Sequence, residues 1–148
     1  MNAHLARFLA VVALATVAFT RSADANAPAG RYTTSGGTVY DTKTKLTWQQ
    51  AVAPGTYTWA NAKAYCAGLS LNGTGWRLPT IKELQTIVDE SQTNPSIDTT
   101  AFPSTPANWF WSSSPLAGSS SYAWIVAFSD GNTSYNDVSN TFYVRCVR

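Results

Sequence analysis

"GWRLPTIKEL", residues 75–84, decides how the middle of this chain is read. Thr80 followed three residues later by Glu83 is a capping box. The threonine hydroxyl accepts from the Glu83 N–H, while the glutamate carboxylate reaches back to the Thr80 N–H. Pro79 biases Leu78 away from helical angles, so the helix starts at the cap. Leu78, ahead of the cap, is placed to staple against Leu84. Ile81, Leu84, Ile87 and Val88 then form the apolar stripe of a short helix predicted to end near Asp89. Trp76, Arg77, Pro79, Thr80 and Glu83 therefore form a structural motif, with Arg77 expected to tie neighbouring loops by hydrogen bonds.

Upstream, "TYTWANAKAYCAGLS" places Trp59, Ala62, Cys66 and Leu69 at helical spacing. Thr58 is expected to cap this first helix, which the spacing predicts over residues 59 to 67 with Cys66 on its inner face and Gly68 at its stop. "TVYDTKTKLTW", residues 38–48, has the pattern of a hairpin turning near residues 41 to 45. Residues 26–37, "NAPAGRYTTSGG", are small, polar and Gly/Pro-rich, and are expected to form a loose lead.

Downstream, "SQTNPSIDTTAFPSTPAN" is loop, long enough to be functional or to fold back as an Omega-type excursion. "WFWSSS", "YAWIVAF", "TSYNDV" and "TFYVRCVR" are expected strands, with Tyr122, Trp124, Val126 and Phe128 sharing one face and Phe142, Val144 and Cys146 another. Two helices followed by strands and long polar loops describe a small α+β domain.

The N-terminus carries a different signal. Arg7 precedes the apolar run "FLAVVALATVAF", and "SADANA" follows, the order of a secretory signal peptide with cleavage expected after Ala25. The run is a dozen residues, too short to span a bilayer, so the expected product is exported rather than transmembrane, whether secreted, periplasmic or at the cell surface. The single histidine, His4, would leave with the signal. The mature chain would then lack the usual general base near neutral pH, the usual partner of a nucleophile and the commonest zinc ligand.

Charge excludes a nucleic-acid binder. Of 10 basic and 8 acidic residues the signal takes Arg7, Arg21 and Asp24, leaving 8 against 7 and no basic stripe. Lys43 with Lys45 and Arg145 with Arg148 make local basic spots, read as solvated surface charge although able to meet an anion. The two cysteines, Cys66 and Cys146, have no zinc-type spacing. In an exported protein such a pair most simply forms one disulfide, the alternative being two buried thiols.

In this order, "TVYDTKTKLTW", "TWANAKAYC", "GWRLPTIKEL", "IDTTAFPSTP", "FWSSS", "YAWIVAF" and "YVRCVR" resemble the Lcl C-terminal domain family, DUF1566, over residues 38–148. That family is similar to the C-type lectin-like fold and, more distantly, to formylglycine-generating enzymes. The resemblance implies a helix-to-strand disulfide between Cys66 and Cys146. The chain departs from the calcium-dependent lectins of that fold, whose Glu-Pro-Asn or Gln-Pro-Asp loop and Trp-Asn-Asp strand supply the oxygens calcium needs, so calcium is possible but not supported by motif. Asn94, Asp98, Asn136 and Asp137 offer only scattered oxygens and are read first as turn residues. No metal or other cofactor is expected.

Catalytic alternatives are thin. Glu83 and Glu90 are seven apart, but a glycosidase pair must face a cleft at roughly 5–9.5 Å and Glu83 already has a capping task. Six tryptophans and seven tyrosines point instead to binding. Trp48, Trp59, Trp76 and Trp124 fall in apolar patterns and are assigned to the core. Trp109, Trp111, Tyr122, Tyr135 and Asn136, beside loops rich in Ser, Gly and Asn, are the candidate ligand contacts. The expectation is an exported, non-enzymatic lectin-like or adhesion module that recognises a glycan or an extracellular protein. The alternatives are an enzyme related to the formylglycine-generating enzymes and an envelope or appendage component that packs as a homo-oligomer.

Overall fold

A computed structural model describes residues 29–148; the expected signal peptide lies outside the described residues. The elements run β1 (Tyr32–Ser35), β2 (Thr38–Asp41), β3 (Thr47–Gln49), α1 (Trp59–Gly68), α2 (Ile81–Gln85), β4 (Trp109–Pro115), β5 (Tyr122–Ala127) and β6 (Thr133–Asp137). They form two antiparallel three-stranded sheets, β1-β2-β3 and β4-β5-β6, with two short helices, an α+β domain. Among the described residues no helix is long and apolar enough to cross a membrane.

The hairpin predicted over residues 38–48 is β2–β3, paired from Thr38 with Gln49 to Tyr40 with Thr47. The lead is not loose throughout, because residues 32–35 pair with β2 as β1. The turn between them is Gly36-Gly37 with φ of 55° and 80°, the left-handed pair that a tight hairpin needs and that glycine adopts without steric cost. Arg31 anchors this corner. It bonds the fully buried Asp41 carboxylate at 3.0 and 2.7 Å and donates to the Thr86 carbonyl beyond α2.

The second sheet divides the hydrophobic interior. Cross-strand partners share a face, and the register sets Phe110 against Val126 but Trp111 against Ile125. On the first face Phe110, Val126 and Phe128 join Val39, Trp48, Leu84, Ile87, Ile97 and Phe102 in one core. On the opposite face Trp111, Ala123 and Ile125 join Ala62, Cys66, Trp76, Leu78, Val144 and Cys146 in another. The long 91–108 segment folds back as an excursion, since Ile97, Ala101 and Phe102 are buried in the first core. Each fully buried aromatic or large aliphatic side chain contributes about 1.5–3 kcal/mol relative to exposure.

The last eight residues are extended but are not a continuous strand. They make isolated bridges to Trp48, Tyr57, Arg77 and Phe110, so they stitch both sheets and the 75–80 segment together. Phe142, Val144 and Cys146 do share a face, turned to the second core, whereas Tyr143 and Val147 turn to the first. Cys66 and Cys146 are joined in a disulfide with Cα atoms 5.4 Å apart.

Both helix ends differ from expectation. Thr58 has extended N-cap angles but its side chain makes no capping bond; the Trp59 N–H instead donates to the Val138 carbonyl. The α1 stop is at Leu69, with Gly68 still helical. α2 is a five-residue helix that gives way to turns before Asp89, and Leu78 and Leu84 sit in different cores, so there is no staple between them.

Candidate functional site

The capping box forms as the sequence predicts. Thr80 Oγ1 accepts from the Glu83 N–H at 3.2 Å, and Glu83 Oε2 accepts from the Thr80 N–H at 2.8 Å. Arg77 completes it, donating Nη1 and Nη2 to the two Glu83 carboxylate oxygens at 2.7 and 2.6 Å. This pairing, with the Thr80 bonds, holds the Glu83 carboxyl down to about 2. The Arg77 backbone meanwhile exchanges both hydrogen bonds with Val147. Trp76 is buried, its indole N–H donated to the Leu71 carbonyl and the Arg148 guanidinium 4.9 Å from its ring.

A shallow hollow of about 500 Å³ opens beside this motif, lined by Lys63, Ala67, Arg77, Leu78, Thr80 and Ser113. Both of its cations are engaged, Arg77 by Glu83 and Lys63 by the Trp59 ring, 3.5 Å from the ring centre. The motif is therefore structural, and the site must be sought elsewhere.

The aromatic candidates divide between the two faces of the β4-β5-β6 sheet. Trp109 and Trp111 face the second core, as does Asn136, which pairs with Ala123. Trp111 is fully buried, donates its indole N–H to the Tyr57 carbonyl and meets Phe142 edge-on, so it is a core residue and not a ligand contact. Trp109 is half-buried against the same core. The Asn136 side-chain oxygen accepts from the Asp137 N–H and from Asn140 Nδ2, which commits it to the turn after β6.

Tyr122 and Tyr135 are on the other face, 38% and 50% exposed. Trp124, assigned to the core by its apolar setting, is only partly buried directly across from Tyr135 and belongs with them. The three rings touch edge-to-face, Trp124–Tyr135 at 5.9 Å and Tyr122–Tyr135 at 5.8 Å between centres. The signal for Trp124 was in the alternation, since it shares parity with Tyr122. On that same face Val126 and Phe128 pack with Leu84, Ile87, Ile97, Ala101 and Phe102 in the first core, to which Trp124 does not belong.

Asp137 completes the patch, paired across the sheet with Tyr122. Hydrogen bonds from the Ser139 hydroxyl and N–H hold its carboxyl below the usual range, so it stays ionised. Because β6 is the outer strand of its sheet, the patch runs to an open edge. Such a surface can place ring faces against an apolar or sugar face and offer a carboxylate to a hydroxyl. Asp98 makes a turn, accepting from the Thr100 and Ala101 N–H groups, as expected of it. Among the described residues no three His, Cys, Asp or Glu side chains converge as a metal set.

Residues 37–148 match the Lcl C-terminal domain family. The chain belongs to that family. The match opens at Gly37, in the first hairpin turn, and takes in β2 to β6, both helices, the disulfide and the aromatic patch, leaving β1 outside it. Among curated proteins, none matches the chain.

Proposed function

We propose that this Lcl C-terminal domain is an exported, non-enzymatic binding module of C-type lectin-like fold that recognises a glycan or a surface protein. The observation that carries the reading is the contact cluster of Tyr122, Trp124 and Tyr135 with Asp137 on the uncovered end of one sheet face. Rigid rings beside an ionised hydrogen-bond acceptor favour the glycan. The helix-to-terminus disulfide and the order of two helices before the second sheet support the lectin-like fold. Chemistry of the formylglycine-generating kind needs free thiols, and both cysteines are bonded to each other.

The test is a glycan and glycosaminoglycan array probed with the oxidised protein, with calcium and again with chelator. Tyr122→Ala and Tyr135→Ala are expected to weaken binding about tenfold or more, equivalent to about 1.4 kcal/mol, with the fold intact. Trp111→Ala serves as the contrast, since emptying a buried site of that size costs about 3–5 kcal/mol of folding stability. Silence of the folded protein in both arms, or unchanged affinity in both tyrosine variants, would refute the glycan site.

A further inference from the structure

Arg145 is the charge least accounted for in this domain. Expected at the surface with Arg148, it has 0% exposure. Nη2 donates to Thr105 Oγ1 at 2.9 Å, but Nε and Nη1 are buried without an acceptor, which leaves three N–H groups unmet. The guanidinium lies over the Phe102 ring, 4.6 Å from its centre. The ion pairs of the described residues are Arg31–Asp41 and Arg77–Glu83, so no carboxylate answers it. A buried, uncompensated guanidinium is costly unless an anion or other acceptors meet it. Burial pushes its pKa down to about 9, which still leaves it charged at neutral pH.

A hollow of about 360 Å³ is lined by Gly37, Gln50, Ala51, Val52, Pro103 and Ser104, of which Pro103 and Ser104 adjoin in the chain the residues that hold the guanidinium, Phe102 and Thr105. The backbone bonds fix this neighbourhood. The Gln49 N–H donates to the Cys146 carbonyl and the Ala53 N–H to the Val144 carbonyl, so the 50–52 segment bulges across from Arg145. The other wall, Pro103 and Ser104, spans the short gap between Phe102, under the guanidinium, and Thr105, bonded to it. Gln50 Nε2 donates to the Ala101 carbonyl at 3.1 Å and bridges the two walls. None of the six lining residues is acidic, whereas the hollow near Tyr32 is lined by the Asp98 carboxylate and by Arg31, whose guanidinium is already bonded to Asp41.

We propose that Arg145, closed off behind this hollow, is the anion ligand of an oxyanion site entered between Gln50–Val52 and Pro103–Ser104 that takes a small carboxylate or phosphate group. The anion would supply the acceptors that Nε and Nη1 lack, and the walls must part to admit it because Arg145 is closed over. This site is separate from the aromatic face and does not depend on it.

The experiment titrates the oxidised protein with sodium acetate and, in a second arm, sodium phosphate, each against sodium chloride at matched ionic strength. The readouts are the thermal midpoint and the Nε–H resonance of Arg145. A saturable rise in midpoint with a moving Arg145 resonance is expected in at least one arm, and the responding arm distinguishes carboxylate from phosphate. Arg145→Met, of similar length and uncharged, is expected to lose the response, at least tenfold in apparent affinity. The proposal is overturned if Arg145→Met responds as the wild type does. It is equally overturned if the wild-type resonance stays still through both titrations, which would assign the unmet donors to internal water. The resonance decides the matter alone should Arg145→Met fail to fold.

Discussion

Replacing Glu83 with glutamine isolates the bond network that starts α2. The wild-type carboxylate accepts both ends of the Arg77 guanidinium and the Thr80 N–H, and these bonds, Arg77 foremost, bring its pKa from 4.5 to about 2. A folded-state pKa below the unfolded value means that the contribution is complete above the unfolded value and is lost as pH falls towards 2. At about 1.4 kcal/mol for each tenfold change in proton affinity, this two-and-a-half-decade change sets a ceiling of about 3.4 kcal/mol. The two side chains are 47% and 22% exposed, however, and solvent screens such a pair strongly. An exposed pair of about 0.5 kcal/mol together with a weakened cap of about 1 kcal/mol gives an expected loss of about 1–2 kcal/mol at pH 7. The assay is urea unfolding followed by tryptophan fluorescence, wild type beside Glu83→Gln, from pH 7 down to 2.5. The stability gap should narrow steadily below pH 4.5 and nearly close at the acid end, with equal slopes against urea. A gap that stays constant across that range would refute the assignment of the Glu83 charge to this network.

Two further substitutions probe the frame. Cys66→Ala with Cys146→Ala opens a loop of sequence separation 80, for which the chain-entropy estimate is about 4.5 kcal/mol, read as a lower guanidinium midpoint. A loss below about 1 kcal/mol would refute the chain-entropy account, since residual structure in the unfolded chain would then already hold that loop nearly closed. Gly131 has φ +81°, and an added Cβ would stand 2.7 Å from Val88 Cγ1, so Gly131→Ala should destabilise by about 2–3 kcal/mol through left-handed strain and overpacking together. Gly118→Ala, at φ +79° with nothing within 4 Å, should lose only the strain, about 1 kcal/mol; equal melting shifts in the two variants would remove Val88 from the account.

What the sequence made legible was local. The Thr80–Glu83 box, the β2–β3 hairpin and the inward set of Phe142, Val144 and Cys146 each depend on neighbours within a few residues, and each is present. The Gly36-Gly37 turn was just as local, yet the polar composition around it hid a strand of four residues. The Cys66–Cys146 disulfide was legible twice, as an even pair of cysteines in an expected exported chain and as what the family resemblance implies.

The site was less legible because alternation gives parity and not depth. Tyr122, Trp124, Val126 and Phe128 do share a face, but whether a position on it is wet depends on whether side chains distant in sequence, such as Leu84, Ile97 and Phe102, pack over it. Those contacts, far away in sequence, bury Val126 and leave Trp124 only partly buried. Trp111 errs in the opposite direction, since its serine neighbours suggest a rim while Tyr57 and Phe142 close over it from distant segments. Arg145 has the same origin. A terminal strand with one face inward should turn its alternate residues to water, but this segment runs between two cores, so the arginine opposite the Val144–Cys146 face is turned into the protein as well. The division of the interior by one sheet therefore accounts both for the exposed aromatic patch, where one core ends, and for the buried charge, where the terminus passes between the two.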